Sequence, residues 1–208
     1  MYTPSHFLET DLTRLDWLAA QNSFGTLVSL VQSDPFASHL PVLYHREGER
    51  VKLRGHWARP NPQWKSIAGQ RALFIFHGPH AYISPRWYSN PRQHVPTWDY
   101  AVTHVYGSVR VIDDPRELAT IVTGLAIRYE AGASDPWKYE ASNGPQRLAG
   151  IIGFELVSDA IEIKFKLNQN HPTENVTGAI EALATQPDDN SRAIAELMRD
   201  ALSRRPRR

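Results

Sequence analysis

From Trp98 to Ile112 the chain alternates between two sets of residues. Tyr100, Val102, His104 and Tyr106 fall on one side, and Ala101, Thr103, Val105, Val109 and Val111 on the other. A two-residue period is that of a strand with its two faces in different surroundings. So long a strand carries a full row of N–H and C=O groups along each edge, and these must find partners. The segment therefore predicts a sheet, with Gly107 as a bulge within it.

The same period recurs elsewhere. Phe24 to Leu30 places Phe24, Thr26, Val28 and Leu30 on one face and Gly25, Leu27 and Ser29 on the other. Ala37 to Tyr44 is a second strand, and Pro41, with no N–H to donate, puts it near an edge or a bulge. Glu47-Gly48-Glu49 is a turn into a strand from Val51 to Trp57. Arg71 to His77 is more continuously apolar, the mark of a strand covered on both faces. Gly78 to Pro96, rich in Pro, His and aromatic residues, reads as a loop. Gly150 to Val157 and Ala160 to Leu167 read as a hairpin turning at Ser158-Asp159. Its second arm points Ile161, Ile163, Phe165 and Leu167 inward and Glu162, Lys164 and Lys166 outward.

Helices are expected around this sheet. Leu8, Leu12, Leu15, Leu18 and Ala19 share a helical face, with Thr10 or Asp11 as cap. Asp114-Pro115-Arg116-Glu117 has the form of a capping box, followed by the stripe Leu118, Ile121, Val122, Leu125 and Tyr129. Two terminal helices flank Pro187-Asp188-Asp189, the last with Ile194, Leu197, Met198 and Leu202 buried. About six or seven strands joined mostly by short turns predict a mainly antiparallel, mainly β (α+β) barrel with peripheral helices.

A net charge of +1 over 208 residues gives no global field to steer the chain toward nucleic acid or acidic lipid. The absence of cysteine excludes disulfides, thiolate nucleophiles and zinc-thiolate sites. No signal peptide or membrane-spanning run is seen, so a cytoplasmic protein is expected.

Among local motifs, Gly55-His56-Trp57-Ala58-Arg59-Pro60-Asn61-Pro62-Gln63-Trp64-Lys65 reads as a strand running into a helix. Asn61 stands at the N-cap and Pro62 at the first helical position. Helix N-termini favour anions, and His56, Arg59 and Lys65 are close by, so the turn is a candidate phosphate cradle. Trp57 and Trp64 flank it with flat aromatic surface. Trp87 and Trp98 add to this aromatic group, which suits ligand walls or a subunit contact equally. His39, His56, His77, His80 and His104 lack carboxylates at metal-ligand spacing, so no metal is expected. No nucleophile elbow, Gly-rich phosphate loop or helix-turn-helix is present, and Arg204-Arg205-Pro206-Arg207-Arg208 reads as a solvated tail.

Several ordered segments together resemble a known family. They are Phe24-Gly25-Thr26-Leu27-Val28-Ser29, Ala37-Ser38-His39-Leu40-Pro41, Gly55 to Trp64, Gly78-Pro79-His80-Ala81-Tyr82-Ile83-Ser84-Pro85, Val95 to Tyr100, His104-Val105-Tyr106-Gly107 and Lys164 to Asn170. The chain is similar to the PaiB-type FMN-binding negative transcriptional regulators. The resemblance implies an FMN-binding split β-barrel over residues 1–170, with C-terminal helices over 171–208. It also implies a homodimer with FMN in grooves between subunits. On this chain Ser38 and His39 would line the flavin, and His56, Ala58, Arg59 and Lys65 would approach its phosphate. His80, Tyr82 and Trp98 would come from the partner subunit or a covering loop, while Lys166 is expected to be solvated. The resemblance implies regulation of transcription, through DNA, a protein partner or flavin redox state. The alternatives are an FMN-dependent oxidoreductase and a haem-binding split barrel.

Overall fold

The computed structural model describes residues 1–139 and 145–205. The strands are β1 (Leu8–Glu9), β2 (Phe24–Val31), β3 (Asp34–Pro41), β4 (Leu43–Glu47), β5 (Arg50–Ala58), β6 (Arg71–Ile83), β7 (Thr97–Ile112) and β8 (Ile151–Lys166). The helices are α1 (Leu12–Gln21), α2 (Gln63–Ile67), α3 (Pro115–Glu130), α4 (Pro145–Leu148), α5 (Thr173–Ala184) and α6 (Asp189–Ser203). The strand order is β3-β2-β6-β7-β8-β5-β4, with β1 also paired to β8. The ladder ends at β3 and at β4, so the sheet is open rather than a closed barrel. The β2–β3, β2–β6, β4–β5 and β5–β8 pairings are antiparallel.

The chain forms two compact units, between which β6, β7 and β8 are divided. One comprises residues 15–76 and 104–161. In it, Val51, Leu53 and Trp57 of β5 are fully buried, as are Leu27, Phe74 and Phe154. Alternation on β5 turns Lys52, Arg54 and His56 to the other face. There Leu118, Ile121 and Leu125 of α3 form a second cluster with Ile112 of β7 and Leu148 of α4. Asp114 caps α3 by accepting from the Arg116 and Glu117 N–H groups, as its motif predicts. The Glu117 carboxylate turns to Arg110 instead of closing the box. Tyr129 is exposed rather than part of the buried stripe, and its hydroxyl bonds that of Ser23 at 2.5 Å.

The other unit comprises residues 1–14, 77–103 and 162–208 as far as described. It contains α5 and α6, with Val176, Ile180, Leu183, Ile194 and Met198 buried. Asp188 caps α6 through the Ser191 N–H.

Five expectations are corrected. Leu8 lies on β1, outside the first helix, which Asp11 starts by accepting from the Thr13 N–H. Residues 37–44 are divided at Val42 between β3 and β4. The loop assigned to 78–96 begins later, because β6 continues to Ile83. Gly107 sits in an unbroken strand: a Cβ there would lie 2.0 Å from the Val157 carbonyl oxygen, so close approach selects the glycine. Residues 151–166 form one continuous strand, with no hairpin at Ser158-Asp159. Ser158 Oγ accepts from the Val51 N–H, and the Asp159 carboxylate takes the fork of Arg71.

Candidate functional site

The turn from β5 into α2 is built from its own side chains. Asn61 Oδ1 accepts from the Gln63 N–H at 2.9 Å, but α2 begins at Gln63, so Pro62 rather than Asn61 stands at the N-cap. At five residues, α2 has little dipole, so an anion site here would rest on side chains rather than the helix end. Gln63 is completely buried. Its Nε2 reaches the Leu27 carbonyl, the Ser29 hydroxyl and the Phe36 carbonyl at 3.0–3.3 Å, and its Oε1 accepts from Trp57 Nε1 at 3.0 Å. One amide thereby ties α2 to β2, β3 and β5. Trp57 is wholly buried against Phe154, so it offers no surface to a ligand. Trp64 is half-buried, donates to the Arg59 carbonyl at 2.8 Å, and has the Lys65 ammonium over its ring at 5.8 Å.

The predicted site residues divide into several groups. Asn61 Nδ2 donates to the buried Ser38 hydroxyl at 2.9 Å, joining β3 to the turn after β5. His39, the next residue, points to the opposite face of β3, as strand geometry requires. There its Nδ1 lies 3.1 Å from Thr26 Oγ1. His56 stands opposite Gly153 in the β5–β8 register, on the face covered by α3. Its Nδ1 is buried without a hydrogen-bond partner among the described residues, and burial lowers its pKa. Ala58 and Lys65 are exposed. Arg59 Nε donates to the Ala149 carbonyl at 2.5 Å, and its Nη2 donates to Asp113 Oδ1 at 2.6 Å and the Ile151 carbonyl at 3.0 Å. Its Nη1 makes no hydrogen bond among the described residues.

In the other unit, His80, Tyr82 and Trp98 come together on β6 and β7, on strands rather than a covering loop. Their rings lie 6.0–6.2 Å from that of Trp98, with Tyr82 45% and Trp98 54% exposed. Lys166 is not a solvated lysine. It donates to Thr97 Oγ1 at 2.6 Å, to the Trp98 carbonyl and to Asp99 Oδ1 at 3.3 Å. Asp99 is fully buried and its Oδ2 has no partner among the described residues. Burial raises its pKa to about 6 against the opposing pull of Lys166. Lys164, expected outside, is also buried, with Nζ bonded to the Tyr2 carbonyl and over the Tyr100 ring. Arg204 pairs with Asp200, and Arg205 donates to the carbonyls of Asn168, Gln169 and His171, so this part of the tail is anchored. Residues 206–208 lie outside the described residues.

Sequence reasoning did not single out Gln63, Asn61 as a partner of Ser38, or Asp113.

Comparison with known proteins gives one family match, described as "Putative FMN-binding domain", over residues 1–159. The chain is 36% identical over 208 residues to the Bacillus subtilis protein named protease synthase and sporulation protein PAI 2, covering 98% of this chain and 99% of that one. Among solved structures, it is similar to the flavocytochrome Anf3 from Azotobacter vinelandii, with TM-score 0.61 and 12% identity, over 82% of this chain and 75% of that chain. The FAD and haem binding protein from Mycobacterium smegmatis gives TM-score 0.56 and 17% identity, over 82% and 78%. At those identities the two structures speak for a shared fold, the split barrel.

Proposed function

The chain belongs to the FMN-binding domain family, and on that premise we propose that it is an FMN-carrying homodimer that represses transcription, with its flavin as the sensing element. Residues 1–170 form the flavin-binding body and 171–208 the added helices. No described helix is long and apolar enough to cross a membrane.

The observation that carries the placement is the contact of Asn61 with Ser38, which sets the cationic turn after β5 beside β3. The donor set suits a phosphate. Lys65 has no ion pair among the described residues, Arg59 retains Nη1, and Asn61 is an adaptable amide. Ser38, His56, Ala58, Arg59 and Lys65 would hold the phosphate and ribityl end. His39 stands toward the ring on the outer face of β3. The exposed group of His80, Tyr82 and Trp98 is assigned to the flavin of the second subunit, since Tyr and Trp favour such interfaces. Bound FMN supplies reversible electron transfer; the protein supplies position and electrostatics.

The test is a visible absorption spectrum of freshly purified protein, repeated after adding FMN and desalting. A retained flavin spectrum with slow NAD(P)H consumption is the expected result. Failure to retain flavin after reconstitution would overturn the reading, and rapid NAD(P)H consumption would favour an oxidoreductase.

A further inference from the structure

We propose that Asp113 sets how tightly this protein holds the flavin phosphate, keeping the cofactor exchangeable by offsetting the charge of Arg59. The proposal rests on the reading above that Arg59 faces the phosphate.

Two backbone carbonyls hold the guanidinium in addition to the acid. Nε is fixed by the Ala149 carbonyl at 2.5 Å and Nη2 by the Ile151 carbonyl at 3.0 Å. The main chain of Arg59 is pinned as well. Its N–H donates to the Gly150 carbonyl at 2.8 Å, and its carbonyl accepts from Trp64 Nε1 at 2.8 Å. Asp113 Oδ1 meets Nη2 at 2.6 Å, the shortest contact to that nitrogen. It therefore adds opposing charge to a group that the two carbonyls also hold.

The carboxylate is also dispensable to its own surroundings. Asp113 is mostly exposed, and Asp114, the next residue, caps α3. Hydrogen bonding to Arg59 holds the Asp113 carboxyl below its ordinary range, so it stays ionised at working pH. A phosphate arriving at Nη1 meets a guanidinium already half compensated. Both anions would share one cation in a wet setting, where one nearby charge alters affinity several-fold. Such a site suits a protein that samples the flavin supply better than one that stays permanently loaded.

Dissociation constants for FMN and for riboflavin, read from quenching of flavin fluorescence at low salt, test this in the full chain. The proteins are wild type, Asp113→Asn, Arg59→Ala and the double variant. Asp113→Asn is expected to bind FMN about threefold to tenfold tighter, with riboflavin binding unchanged. Arg59→Ala is expected to weaken FMN binding, and the Asp113→Asn gain should shrink as salt is raised. Unchanged or weaker FMN binding in Asp113→Asn overturns the proposal and makes the acid a positioning group. Equal affinity of wild type for FMN and riboflavin overturns the phosphate placement itself, and the proposal falls with it. Riboflavin binding in each variant reports whether the ring site still folds.

Discussion

Gln63 shows how a single side chain can set the geometry of a turn. Its amide makes four hydrogen bonds in a fully buried setting, and its N–H is held by Asn61, which in turn reaches Ser38. Replacing it with Leu strands two carbonyls, a hydroxyl and the Trp57 indole N–H. Gln63→Leu is expected to lower unfolding free energy by about 3 kcal/mol or more, measured by urea denaturation. A loss below about 1 kcal/mol would mean the bonds are readily replaced by water. The sequence pointed to this turn through its charges, and those charges are where it was least explicit. A guanidinium near a strand end reads as an anion ligand, yet most of Arg59's donors serve Ala149, Ile151 and Asp113, distant in sequence. Similarly, Ser38 and His39 are neighbours in sequence but face opposite sides of β3, so they serve different surroundings.

At the scale of elements, periodicity was readable and continuity was not. Strand β7 was legible almost to the residue because its alternation runs from Trp98 to Arg110. Strand β8 was read as a hairpin because Ser158 and Asp159 are turn formers by composition. Neither residue takes the positive φ that a two-residue hairpin turn requires, and their side chains are taken up by Val51 of β5 and Arg71 of β6. The β2–β3 turn makes the opposite point. Gln32 and Ser33 adopt φ of 52° and 73° without a glycine, because the eight-residue ladder from Phe24↔Pro41 to Val31↔Asp34 fixes the register around them. Gly107 is where β7 is most constrained. Gly107→Ala would set a methyl against the Val157 carbonyl and its neighbours, and should cost at least about 2–3 kcal/mol, seen as a lower midpoint in thermal unfolding. A midpoint equal to wild type would show that β7 and β8 separate easily there.

For the molecule as a whole, the clearest pH signature belongs to Asp99. Its folded-state pKa of about 6 lies above the unfolded value of 3.8, so the folded protein binds more protons between them. Stability should therefore fall as pH rises from about 4 to about 6. The contribution is on the order of 3 kcal/mol and is fully felt above that window. In Asp99→Asn this portion of the slope should disappear, as urea unfolding at a series of pH values will show; an unchanged slope would assign it to other groups. What the sequence determined by itself was the class of the fold, the caps of α1 and α3, the long strand β7, and the family. These follow from local periodicity, backbone sterics and ordered motifs that need no knowledge of distant contacts. The tertiary structure alone decided which polar groups are committed. It buried Lys164 and Asp99, anchored Lys166 and Arg205, enclosed Trp57, and gave Arg59 its carbonyls and its acid. A side chain's charge is written in its own residue, but its partners are set by chain segments that meet only when the sheet forms.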